Sequence, residues 1–157
     1  MKLRKYSPGD WAEVVRLFYN TVHTINSADY NDAQLNAWVP EDLGLPELEN
    51  RLATNYTVVV EADGIIVGFG NVHGAGYFDC LYTHMSFQRM GIATIIANDI
   101  EDHFRQEGAI TITTDASITA KPFFINRGYT EVREQRVECR GQYFINYNMQ
   151  KELTIMW

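Results

Sequence analysis

Apolar and polar positions along this chain change period several times, and each change marks an element. Lys2-Leu3-Arg4-Lys5-Tyr6 reads as a short first strand, and Ser7-Pro8 sets a capping residue before a proline at the first helical position. Trp11, Val14, Val15, Phe18, Tyr19 and Val22 then fall on one helical stripe, with Glu13, Arg16 and Asn20 off it, which predicts a helix to about His23. Ile25 to Tyr30 breaks that pattern with side chains that bond local backbone. Asp32 to Trp38 reads as a second short helix ending before Pro40. Pro40, Gly44 and Pro46 punctuate the next passage, and a further helical turn or two is expected from Pro46 to about Ala53.

Period two follows. Tyr56 to Glu61 and Ile65 to Val72 flank Ala62-Asp63-Gly64, and Asp-Gly between β-branched runs is a strong hairpin signal. Gly74-Ala75-Gly76 turns into Tyr77 to Thr83, so the three runs form an antiparallel meander. Ile92, Ile96, Ile100 and Phe104 next recur every four residues and predict an amphipathic helix that stops near Gly108. Ile110 to Thr114 is a strand, parallel to Tyr77–Thr83 because a helix joins the two. Ser117 is placed to cap a last helix through Asn126, which Gly128 ends. Tyr129 to Cys139 and Gln142 to Met149 close the chain as a hairpin through Arg140-Gly141. Neither a repeat nor a linker interrupts this order.

At 157 residues the chain fits one domain, 1–157, with 46% hydrophobic and 13% aromatic residues. No apolar run reaches membrane-spanning length and the N-terminus lacks a long apolar leader, so the expected location is the cytoplasm. Cys80 and Cys139 lack metal-ligand spacing and read as reduced thiols, and no metal centre is expected. A formal net charge of −7 opposes binding to nucleic acid or an anionic membrane surface and favours cationic partners such as amines.

The stretch from Asp79 to Ile100 carries the chemistry. A strand hands over to a helix through Gln88-Arg89-Met90-Gly91-Ile92-Ala93. The first N–H groups of such a helix lack intrahelical partners and carry partial positive charge, so a phosphate can bind to backbone alone. The spacing Q-x-x-G-x-A after a strand resembles the acetyl-CoA signature of the GNAT superfamily of N-acetyltransferases. Ala120-Lys121-Pro122-Phe123-Phe124-Ile125-Asn126-Arg127-Gly128-Tyr129 resembles the later motif of that family, and the order of elements matches along nearly the whole chain. A doubly wound nucleotide-binding fold would need more βα units.

The resemblance implies an α+β fold of the α/β class: a mixed, mostly antiparallel sheet of about seven strands, flanked by about four helices and splayed between the fourth and fifth strands. The pantetheine arm would lie in that gap, bonded near Leu81 and Thr83. Gln88 opens the phosphate loop, and the amides of Arg89, Met90, Gly91, Ile92, Ala93 and Thr94 would hold the pyrophosphate of acetyl-CoA. Ser117, Lys121 and Phe124 complete the implied cofactor contacts.

Acetyl transfer to an amine needs a deprotonated nucleophile and a proton for the departing thiolate. A lysine-like amine titrates at about 10.4 and a thiol at about 8.5, so the amine must give up a proton near neutral pH. Asp79 is the first candidate to take it, directly or through water, and His73 the second; Tyr77 lies closest in offset to the acid that family members often carry. His84 reads as structural. Many family members have a tyrosine where this chain has Phe124, and a phenyl ring donates no proton. Tyr82, Tyr129, Tyr143 or water would have to serve, or the thiolate leaves unassisted. His23, Tyr30 and Trp38 are the candidates for an acceptor pocket with an aromatic surface for a cation. The expectation is an N-acetyltransferase working by direct attack on a small-molecule or peptide amine. The alternative is an acyl-CoA-binding module without turnover. The closing hairpin offers a surface through which a homodimer could form.

Overall fold

Val58, Val59 and Val60 are all fully buried, as befits a strand covered on both faces. The structure, a computed structural model, describes residues 1–153. Its elements are β1 (Lys2–Lys5), α1 (Trp11–Thr24), α2 (Asp32–Trp38), α3 (Pro46–Thr54), β2 (Thr57–Ala62), β3 (Ile65–His73), β4 (Tyr77–Thr83), α4 (Ile92–Gln106), β5 (Thr111–Ser117), α5 (Lys121–Asn126), β6 (Thr130–Cys139) and β7 (Gln142–Glu152). The strands form one seven-stranded sheet in the order β1-β2-β3-β4-β5-β7-β6. Among the described residues only β4 and β5 pair in parallel; the other neighbours are antiparallel.

Helices cover both faces. On one side α1, α2 and α3 bury Val14, Phe18, Leu35 and Leu52 with Val59, Phe69 and Cys80 of the sheet. On the other, the four-residue ladder of α4 packs Ile92, Ile96, Ile100 and Phe104 on Val58, Val60, Phe78 and Ile112. Each of these large side chains contributes about 1.5–3 kcal/mol by leaving water. Glycines on β3 let α4 lie close: a Cβ on Gly70 would stand 2.4 Å from Ile96 Cγ2, and one on Gly68 2.5 Å from Ile92 Cγ2.

Two boundaries differ from the sequence pattern. Pro8–Asp10 is a 3-10 turn ahead of α1, because Asp10 accepts from the Ser7 N–H at 2.8 Å and closes a capping box there. Ser117 ends β5 instead of starting a helix; its Oγ accepts from the Ala120 N–H at 3.0 Å and shapes the turn before α5. The α-helices number five among the described residues, and α5 has only six residues.

Candidate active site

Asp79 is the extra residue of a β-bulge. Asn71 of β3 faces Cys80, yet the next residue, Val72, faces Phe78. The bulge changes the phase of β4, so that Phe78 and Leu81 meet the α4 side while Cys80 and Tyr82 meet the α1 side. It also bends the strand, and pairing between β4 and β5 stops after Tyr77↔Thr113 and Phe78↔Thr114. Beyond that point β5 stays with β7 as far as Ser117↔Asn146. The two parallel strands therefore part, and a gap opens toward their C-terminal ends.

Backbone polarity along β4 faces that gap. The Cys80 and Tyr82 carbonyls point to β3, each 3.4 Å from where a Cβ on Gly70 or Gly68 would be, and the His84 N–H bonds Val67 there. Alternation turns the main chain of Leu81 and Thr83 the other way, into the gap. The Thr83 carbonyl is held by Thr21 Oγ1 and Gln88 Nε2, both at 2.8 Å. Gln88 thus fixes the loop through side-chain bonds to Thr83 and His84.

The head of α4 stands at the far end of the same gap. Gly91, its N-cap, has φ 83° and supplies no side-chain cap, so the first N–H groups of Ile92, Ala93 and Thr94 lack a capping oxygen. A Cβ on Gly91 would meet nothing within 4 Å, so the glycine answers a left-handed turn and leaves its outer side open. Arg89 is left-handed too, with φ 60°, and the Met90 side chain is exposed. A cavity of about 640 Å³ runs from Arg89 and Gly91 past Thr83 to Ser117 and Phe123. It shares Leu81, Tyr82, Ser117 and Ala120 with a second cavity of about 290 Å³ deeper between the strands.

That deeper cavity gathers part of the expected acceptor site. Tyr30, Trp38 and Phe144 form an aromatic wall, with ring centroids 5.4 to 5.9 Å apart. Asp79 lines the cavity as well, but its Oδ2 is committed to Arg51 Nε of α3 at 3.1 Å. Phe124, buried against Phe78 and Tyr129, forms the back.

Other expected residues lie elsewhere. His73 is exposed at the end of β3 and lines neither cavity. His23 stacks on Tyr19 at 4.1 Å and its Nε2 is 2.8 Å from the Val39 carbonyl, a packing role outside the cavities. Lys121 pairs with Glu131 and stands 3.9 Å from the Tyr147 ring, turned toward β6 and β7 and away from the head of α4. His84 Nδ1 accepts from the Ser86 N–H at 3.0 Å and shapes the loop after β4.

The tyrosines differ in what occupies their hydroxyls. Tyr129 donates to Glu101 at 3.0 Å, and Tyr143 is 52% exposed beneath Arg136. Tyr30 donates to the Ile145 carbonyl at 2.7 Å. Tyr82 lines both cavities, and its hydroxyl donates to no protein acceptor among the described residues. Burial, and then the neighbouring Cys80 and Asp79, hold its proton on well above the ordinary phenol value.

Sequence reasoning assigned no role to Asp115 or Asn146, which also line the deeper cavity. Tyr77 donates to Asp115 Oδ2 at 2.8 Å, and burial followed by that bond raises the Tyr77 pKa. Asp115 occupies an exposed position of an alternating strand, a pattern that reads as an ordinary solvated face.

Comparison with known proteins adds independent findings. The pattern of an acetyltransferase (GNAT) domain matches residues 26–153. The uncharacterized N-acetyltransferase YafP of Escherichia coli (strain K12) is 33% identical over 149 residues, covering 95% of this chain and 94% of that protein. A GCN5-related N-acetyltransferase structure from Rhodopseudomonas palustris superposes with a TM-score of 0.93 at 29% identity, covering 97% of this chain and 95% of the other. The PaiA N-acetyltransferase of Thermoplasma acidophilum, solved in complex with coenzyme A, shares the fold with a TM-score of 0.76 at 13% identity, over 96% and 98% of the two chains.

Proposed function

This chain belongs to the GNAT family of acetyltransferases, and from that premise we propose that it moves the acetyl group of acetyl-CoA to a primary amine by direct attack in a ternary complex. The observation that carries the reading is the parting of β4 and β5 beside the uncapped head of α4. The relative from Thermoplasma, solved with coenzyme A, supports the same choice of cofactor.

In this reading the pyrophosphate bonds the N–H groups from Arg89 to Thr94, and the pantetheine arm runs along Leu81 and Thr83 as an added strand. The thioester then comes to rest before Phe124, and the amine enters from the side of Tyr30 and Trp38. Holding both reactants in one narrow gap supplies much of the acceleration. The departing thiolate takes a proton from Tyr82, the cavity tyrosine whose O–H donates to no acceptor among the described residues.

The test is release of free thiol from acetyl-CoA against a broad panel of small amines and peptides. Thiol release that depends on both substrates and yields the acetylated amine supports the assignment. Phe124 favours a second reading, an acyl-CoA-binding module without turnover. Calorimetry that shows tight acetyl-CoA binding, joined to silence across the whole panel, would choose the module.

A further inference from the structure

We propose that Asp115 is the carboxylate that receives the acceptor amine as an ammonium ion and then takes its proton, an assignment that rests on the acetyl-transfer reading above. Asp115 follows Thr114, the last β5 residue paired to β4, and so stands where the strands begin to part. It lines the deeper cavity, across which Tyr30, Trp38 and Phe144 present their rings. An aromatic wall facing a carboxylate suits an organic cation from both sides.

The partners of the two acids differ in kind. Asp79 is neutralised by the Arg51 guanidinium at 3.1 Å. Asp115 is held by neutral donors: Gln135 Nε2 at 2.8 Å and Asn148 Nδ2 at 3.0 Å on Oδ1, and the Tyr77 hydroxyl at 2.8 Å on Oδ2. Among the described residues no cation pairs with it. The uncompensated negative charge of the cavity therefore rests on Asp115.

The bonds also leave room. A carboxylate offers about four acceptor positions, three of which these donors fill, and the remaining one is on Oδ2 beside Tyr77. Gln135 is itself fixed by a second bond to Asn146 Oδ1 at 3.0 Å, so the carboxylate is oriented from two neighbouring strands. Neutral donors aim it without cancelling its charge.

The reaction then balances. The ammonium gives one proton to Asp115 Oδ2, and the freed nitrogen pair forms the C–N bond at the thioester carbonyl. The C–S bond breaks with its electron pair on sulfur, and the nitrogen loses its second proton as the amide forms. Of the two protons lost, one ends on the thiol and the other in solvent.

Asp115→Asn keeps the shape and removes the charge. With the best alkylamine of the thiol-release panel, kcat/KM for the amine should fall by about 100-fold, the scale of one positioned proton acceptor. The acetyl-CoA dissociation constant, read by calorimetry, should not move, and it reports that the variant is folded. Asp115→Glu should recover part of the loss, and Asp79→Asn should cost less than Asp115→Asn. Methoxyamine, uncharged at neutral pH, should be used nearly equally by wild type and Asp115→Asn. A uniform loss with charged and uncharged amines would assign Asp115 to strand pairing alone and overturn the proposal. Should no amine be turned over, the acetyl-transfer reading fails separately, and calorimetry of n-butylammonium with the coenzyme A complex decides: binding lost in Asp115→Asn upholds the site, and absent or unchanged binding overturns it.

Discussion

Glu101 is a carboxylate only 2% exposed, and it survives there because donors surround it. Arg127 Nε at 2.9 Å, Lys151 Nζ at 3.0 Å and the Tyr129 hydroxyl at 3.0 Å tie α4 to the start of β6 and the end of β7. Burial, the largest influence, favours the protonated acid. The donors of Arg127 and Lys151 together outweigh it and hold the carboxyl below its ordinary value. A depressed folded-state pKa gives stability that is whole above the unfolded value near 4.5 and is lost as pH falls through the lower folded value. Urea midpoints followed from pH 7 to pH 3 should fall further in wild type than in Glu101→Gln, where Asp10, held low by Arg4, still contributes. At pH 7 the variant, which leaves two cations short of a partner, should be less stable by about 3–5 kcal/mol. In Tyr82→Phe, kcat should fall about 100-fold, the scale of one proton donor. Acetyl-CoA affinity should hold, and a thioester with a more acidic leaving thiol should restore the rate.

At the scale of elements, α4 was the easiest to read and β5 among the hardest. The four-residue spacing of Ile92 to Phe104 leaves one orientation for the helix, and the structure follows it. Ser117 was misread because a serine before a helical run looks like a cap, whereas here pairing with Asn146 keeps it in the strand. The seat of α4 depends on β3 glycines that propensity alone counts as weak strand formers. In Gly70→Ala the new methyl would meet Ile96 at 2.4 Å and Ile100 at 2.9 Å, so the helix must lift or its side chains must turn. A cost of about 1–3 kcal/mol in thermal or urea unfolding is expected, with weaker acetyl-CoA binding, because the head of α4 moves with it. Unchanged affinity in a destabilised variant would separate the phosphate site from the seat of the helix.

Across the whole molecule, the gap is the one feature that no single stretch encodes. The turn at Gly91 and the parallel return to β5 were legible because local spacing states them. The bulge at Asp79 was not, since it exists only against the register of Asn71 and Val72 on β3. Asp115 escaped notice for the same reason, its partners Gln135 and Asn148 being 20 and 33 residues away along the chain. His23 and Lys121 stand apart from the cavities for the converse reason: each has suitable chemistry, but Val39 and Glu131 hold it elsewhere. A crystal structure with bound coenzyme A is the most direct test of the gap as the cofactor's seat. The pyrophosphate is expected on the N–H groups from Arg89 to Thr94 and the thiol end between Leu81 and Ser117, facing Asp115. A cofactor seated on another face, or one whose thiol end lies outside the gap between β4 and β5, would contradict that placement.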